Sequence, residues 1–159
     1  MSDLISDGMT RVAWVSSIAN ISAPTAAELT AGSDFTTRIT PDGLKLDPST
    51  ADVDTSSLAS TFDTKTVGRV GFDVELTFKR GTTGAEDLPF TTLKYGVSGY
   101  LAVRRGVAYS TAWTAGQKVE VYPITCGEPQ NSSPAANEVL KFVSPMKVTS
   151  QPSTNATVA

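Results

Sequence analysis

Val67-Gly68-Arg69-Val70-Gly71-Phe72-Asp73-Val74-Glu75-Leu76-Thr77-Phe78-Lys79-Arg80 is the stretch that decides the architecture. Phe72, Val74, Leu76 and Phe78 fall on one side, and Asp73, Glu75, Thr77 and Lys79 on the other. A strict period of two is the mark of a strand with one buried and one solvated face. The segment predicts a long half-buried strand whose apolar side is core.

Working outward toward the C-terminus, residues 85–95 place Leu88 and Leu93, with Phe90 and Tyr95, for a short amphipathic helix with Pro89 in its first turn. Residues 97–125 read as a three-strand meander: Tyr100 to Val103, a turn at Arg105-Gly106, Val107 to Trp113, a turn at Ala115-Gly116, and Lys118 to Tyr122. After a Pro/Ser/Asn loop, Val139 to Val148 forms a last strand. Pro145 interrupts it and predicts an edge position. Residues 150–159 read as a flexible polar tail.

Toward the N-terminus, residues 1–9 read as an arm and Thr10 to Ser16 as a strand with Val12 and Trp14 on one face. Ile21 to Gly32 predicts a helical turn, with Pro24 in its first turn and Gly32 as its stop. Phe35 to Thr40 alternates as a strand that ends in a turn at Pro41-Asp42-Gly43. Residues 41–66 carry five aspartates (Asp42, Asp47, Asp52, Asp54 and Asp63), many hydroxyls and few large apolar side chains. They read as a long irregular connection, a type that is usually functional or disordered.

The composition agrees with a β protein. Of 159 residues, 39 are Ser or Thr, and Val (15) outnumbers Leu (10), as solvated strand faces favour. The length suits one domain over 1–159 with a core of its own. Nine acids and four bases lie in 1–65, against four acids and seven bases in 66–118. That segregation suits head-to-tail association of identical copies, although a mixed surface would show it too. A net charge of −3 does not suit a grip on nucleic acid, which rests on Lys and Arg. The N-terminus shows neither the basic nor the apolar region of a secretory signal, and the expectation is a soluble chain made in a cytoplasm.

Chemistry is sparse. Without histidine, Ser-His-Asp, Cys-His and His-metal sites are excluded, and the single Cys126 cannot form an internal disulfide. Asp54-Thr55-Ser56 is superficially like an aspartic-protease loop but has no matching second carboxylate segment. Asp52 and Asp54 have the spacing of a calcium loop, yet Ser57 stands where the turn glycine belongs. Gly96-Val97-Ser98-Gly99 lacks the last glycine spacing of a nucleophile elbow. Arg104-Arg105 reads as a solvated basic turn. No catalytic, cofactor or metal residue is expected.

Two blocks carry a resemblance. Ala23-Pro24-Thr25-Ala26-Ala27-Glu28-Leu29-Thr30-Ala31-Gly32 resembles a segment near the start of siphophage major tail proteins, the tail tube proteins. Gly99-Tyr100-Leu101-Ala102-Val103-Arg104-Arg105-Gly106, followed by Gly116-Gln117-Lys118-Val119-Glu120-Val121-Tyr122-Pro123, resembles a later block of the same family. The resemblance implies a β-sandwich or half-barrel of two packed antiparallel sheets with one or two short flanking helices. It implies a non-enzymatic virion protein, assembled in the host bacterial cytoplasm, whose six-fold rings stack head to tail into a conduit for double-stranded DNA. Other tail proteins would meet the tube ends, with no membrane or cofactor involved. Residues 41–66 would then reach between subunits, and Asp73, Glu75, Thr77 and Lys79 would line the lumen. Two other classes compete: a stand-alone binding module, such as a capsid decoration protein or adhesin domain using 41–66 as its binding loop, and an enzyme built only from carboxylates and hydroxyls. Tubes, small oligomers or a monomer with a pocket would separate the three.

Overall fold

In the computed structural model, which describes residues 2–159, Val74, Leu76 and Phe78 are buried while Asp73, Glu75, Thr77 and Lys79 occupy the opposite, solvated face. The strand they share, β4 (Lys65–Lys79), is one of nine. The others are β1 (Thr10–Val15), β2 (Ser33–Asp34), β3 (Ile39–Asp54), β5 (Ser98–Arg105), β6 (Lys118–Cys126), β7 (Gln130–Asn131), β8 (Lys141–Val148) and β9 (Ser153–Thr157). Two short helices, α1 (Ala26–Ala31) and α2 (Leu88–Thr92), flank them.

All nine strands belong to one antiparallel sheet in the order β2-β1-β5-β6-β8-β4-β3, with β7 on β8 and β9 on β6. β6 changes partner along its length: Lys118 to Val121 pair with β9, and Ile124 to Cys126 with β8. Pro123, which has no N–H to donate, sits at the change. The sheet curls so that Trp14, Leu101, Val103 and Ile124 share one core with Val74, Leu76, Phe78, Phe142 and Met146. Phe78 stacks on Phe142 at 5.3 Å and takes the edge of Phe35 at 5.6 Å, while Phe90 of α2 closes on Phe142 at 5.1 Å. On the other face of β1, β5 and β6 a second core forms from Ala13, Val15, Ala102, Val119 and Val121. Leu29 of α1, Trp113, Ala156 and Val158 cover it. The all-β expectation holds, but in place of two packed sheets there is one open nine-stranded sheet, curled so that its two ends share a core. A cleft of about 620 Å³ marks the open seam between β1 and β3, bordered by Thr10, Val12, Ile39 and Leu44.

α1 is set by its N-terminus. The Thr25 hydroxyl accepts from the Glu28 N–H at 3.1 Å and the Glu28 carboxylate accepts from the Thr25 N–H at 3.0 Å, a reciprocal capping box. The Thr25 and Ala19 N–H groups, with the Thr25 hydroxyl, hold the Glu28 carboxyl below the usual carboxylate range. Pro24 therefore precedes the cap and is outside the first turn. Gly32 ends the helix, and its want of a side chain lets Trp14 approach, since a Cβ there would lie 2.7 Å from the Trp14 carbonyl oxygen.

Several expectations are corrected. Thr36 to Arg38 form a 3₁₀ turn in place of a strand start, because Asp34 Oδ1 takes the Thr36 N–H at 2.9 Å and the Thr36 hydroxyl takes that of Val12 at 2.9 Å. Residues 41–66 are not one irregular connection: Ile39 to Asp54 is β3, paired with β4. Pro41-Asp42-Gly43 forms a bulge inside β3, and a Cβ on Gly43 would stand 2.7 Å from the Thr77 carbonyl oxygen. Residues 107–113 form no strand, and β5 pairs directly with β6. β8 lies between β4 and β6, not at an edge. Pro145 fits there because its carbonyl faces Gly127, just past the end of β6, where no ladder N–H is required of it. The 150–159 tail is ordered as β9, with Ala156 and Val158 buried. Residues 2–9 of the arm carry no regular element, and Met1 lies outside the described residues.

Cys126 is 3% exposed in the main core, and burial pushes its thiol up to about 11. The thiolate is the reactive form. In native protein at pH 8, a thiol reagent is expected to leave Cys126 unmodified and to react with it fully in denaturant. Stoichiometric labelling of folded protein would contradict this burial.

Candidate assembly surface

The most unusual feature is how far β3 and β4 run beyond the core. Leu44 pairs with Leu76 and Leu46 with Val74 over the core, and the ladder continues through Pro48–Phe72 and Thr50–Val70 to Asp54–Lys65. β8 pairs with β4 only as far as Val74–Met146. Residues 49–54 and 65–71 thus form a two-stranded ribbon, nearly all of it exposed on both faces. Such a ribbon is marginal in water by itself. It nevertheless carries Val53, Val67 and Val70 in the open, and at its tip Leu58 and Phe62 at 106% and 79% exposure.

Short polar bonds close the tip. Thr55 N–H donates to the Thr64 carbonyl at 3.0 Å, the two threonine hydroxyls bond at 2.8 Å, and Ser56 Oγ accepts from Thr64 N–H at 3.0 Å. Asp54 Oδ1 accepts from the Ser56 N–H at 2.8 Å, which holds its carboxyl below the usual range. The five aspartates of this segment do not converge. Asp42 sits in the bulge beside the core, Asp47 is opposite Asp73, and Asp52, Asp54 and Asp63 belong to the distal ribbon and tip. From Asp42 to Asp54 the strand spans roughly 40 Å. Among the described residues, no three His, Cys, Asp or Glu side chains group as metal ligands, and no helix is long and apolar enough to cross a membrane.

The solvated face of β4 is mixed in sign. Asp73 is opposite Asp47, and Lys45 crosses to it at 3.1 Å, which relieves a like-charge cross-strand pair and raises the Lys45 pKa. Glu75 is flanked by Lys45 and Pro145, and Thr77 by Val143. Lys79 is opposite Lys141, which pairs with Glu138 at 3.2 Å. The four residues do share one face, acidic toward the ribbon and basic toward the core end.

At that core end Arg80 organises the surface. It makes a two-point pair with Asp87 at 2.7 and 2.9 Å, which holds the Asp87 carboxyl below the usual range, and its guanidinium stacks on Phe90 at 3.7 Å. Lys94 caps Phe90 at 3.9 Å, and the Arg80 N–H donates to the Leu140 carbonyl at 2.8 Å. Leu88, Tyr95, Val139 and Leu140 remain exposed in this region.

Arg104 is not the solvated basic turn expected of Arg104-Arg105. It is fully buried and donates to the carbonyls of Ala108 (2.9 Å), Thr111 (2.8 Å) and Ala112 (3.3 Å) and to Gln117 Oε1 (3.1 Å). Its guanidinium lies 4.9 Å from the Trp113 ring, and burial lowers its pKa. Residues 106–117 wrap around this charge. The signal in the sequence was its parity with Ala102, which places it on the second core's face. Arg105, by contrast, is exposed and pairs with Glu120 at 2.7 Å.

A family model described as phage tail tube protein matches residues 1–159, the whole chain. No curated protein matches it.

Proposed function

Because the chain belongs to the phage tail tube protein family, we propose that it polymerises as stacked six-fold rings into a tube that conducts DNA during ejection. Membership itself gives the coarser role, a structural protein of the virion tail that assembles with itself and with other tail proteins. The observation that supports polymerisation most directly is the β3–β4 ribbon, which exposes apolar side chains its own subunit leaves uncovered. A second copy would cover them and complete a surface that one copy leaves unsupported. In this reading residues 41–66 act between subunits, with Asp52, Asp54 and Asp63 at the contact and Asp42 and Asp47 nearer the core. Assembly takes place in the host cytoplasm, and no catalytic step or cofactor is involved.

The solvated face of β4 is the proposed lumen wall. A conduit must not hold DNA, and Asp73 and Glu75, repeated around a ring, would repel phosphates over about 10 Å at 0.1 M salt. Thr77 offers a neutral surface, and Lys79 marks the end where repulsion ceases. Electron microscopy of the concentrated chain tests the assembly: hollow tubes or rings are expected, and a monomer under all conditions would refute it. Asp73→Lys with Glu75→Lys is expected to spare folding and tube formation but to slow DNA ejection, most visibly at low salt. Unchanged ejection, or a tube with both side chains on its outside, would overturn the lumen assignment.

A further inference from the structure

The chain reverses direction just before β1. Met9 N–H donates to the Ser6 carbonyl at 3.2 Å, and Gly8 takes a φ of +69°, a conformation that favours glycine, so residues 6–9 form a tight turn. The base of the turn is pinned to the β5–β6 connection. Gly106 N–H donates to the Met9 carbonyl at 2.8 Å, and Tyr109 N–H to the Gly8 carbonyl at 2.9 Å. Ahead of this pin, residues 2–5 carry no regular element. Leu4 lies over Gly106, 3.3 Å from where a Cβ would stand, yet Leu4 and Ile5 are 77% and 71% exposed. The same turn borders the seam cleft. Ser6, Asp7 and Gly8 line it from the arm, Thr40 and Pro41 line it from β3, and with them stand apolar Val12, Ile39 and Leu44, which belong to or pack against the main core. β3 pairs with β4 alone, so its outer edge at the cleft has no strand partner.

We infer that residues 3–7 are a strap that shuts over this seam in the free subunit, laying Leu4 and Ile5 against Val12, Ile39 and Leu44, and that the strap opens before copies associate. The inference rests on the self-assembly proposed above and adds a control on it. The reach is sufficient. Thr36 is bonded to Val12 of β1, and β3 begins three residues later at Ile39, so that end of the seam is at most about 10 Å wide. The five residues from Gly8 back to Asp3 extend about 16 Å, and the strap crosses without breaking its pin. Closure takes two large apolar side chains and the apolar wall of the cleft out of water together, which favours it in a lone subunit. Ordering the five residues opposes it, and the resulting near-balance is one that a neighbouring copy can tip. While shut, the strap covers the unpaired β3 edge, the place where a foreign strand would add.

The test uses the full chain with Cys126→Ala, which removes the buried thiol. Asp3→Cys combined with Thr40→Cys joins the strap to the β3 side of the cleft and leaves Leu4 and Ile5 in place. Mild oxidation of the free subunit is expected to give a disulfide within one chain, seen as a monomer that migrates faster without reducing agent. Asp3→Cys combined with Ser110→Cys, beside Tyr109, is the competing geometry of an arm that stays open. More complete closure of the Ser110 pair, or a covalent dimer from the Thr40 pair, would overturn the strap. The oxidised Thr40 variant is expected to form tubes at least tenfold more slowly than the same variant reduced. Equal rates would overturn the control and leave polymerisation standing, whereas a wild-type chain that forms no tubes or rings would bring down both readings. Independently, Leu4→Ser with Ile5→Ser should shorten the lag before tubes appear at least threefold, with an unchanged far-ultraviolet circular dichroism spectrum. An unchanged or longer lag in that folded variant counts against the inference.

Discussion

Replacing Arg104 with alanine is expected to cost about 3 kcal/mol, as hydrogen bonds from a buried charged group and the packing of a large buried side chain are lost together. Three carbonyls and the Gln117 amide oxygen each lose one of two donors, the others coming from Thr111, Arg11, Gln117 and Thr114, and the Trp113 ring keeps only the more distant Arg11 at 5.3 Å. For a domain of this size the midpoint of thermal unfolding should fall by roughly 10 °C. Arg104→Lys keeps the charge but lacks the planar fork that reaches four acceptors, so it should recover only part of the loss. Urea denaturation measures both. A loss below about 1 kcal/mol for the alanine variant would mean that residues 106–117 are held by something other than this guanidinium.

The second large effect concerns assembly, with stability unchanged. Removing residues 51–69 and joining Thr50 to Val70 through an Asn-Gly turn exploits their direct pairing across the ladder. The deleted part touches neither core, so the midpoint should stay within about 2 °C of wild type. Tube formation should be lost, and sedimentation with microscopy would show only small species. In the intact chain, hydrogen exchange over the same residues should be fast in the free subunit and slow in the tube. Tubes of ordinary length from the shortened chain would defeat the role assigned to the ribbon.

Where one strand face is buried and the other wet, the chain advertises its structure. β4 is legible for that reason over residues 72–79, and its long hidden partner is not. Past Leu46, β3 is solvated on both faces, so Asp47 to Asp54 has no alternation to read and resembles a loop in composition. β9 escapes notice because its one buried strand residue is the small Ala156, and 107–113 misleads because its apolar Trp113 packs into the second core beside Arg104, not along a ladder. The capping residues Thr25 and Glu28 stood in the sequence, but placing Pro24 in the first turn passed over them. The candidate surface was legible only as a concentration of aspartates in 41–66. Their dispersal along a ribbon depends on the register with β4, a long-range property that no local pattern encodes.

The ribbon also has a mechanical consequence. Its hydrogen bonds lie across the strands, and the strands run along the direction in which it projects. A pull applied to β3 at the tip and resisted through β4 at the core therefore loads the ladder from Leu44–Leu76 to Thr50–Val70 in shear, with its bonds strained side by side. Peeling the same strands apart sideways would break them one at a time at far lower force. A subunit gripped by its tip is stiff along its length and compliant across it, the combination of a tether that flexes without lengthening.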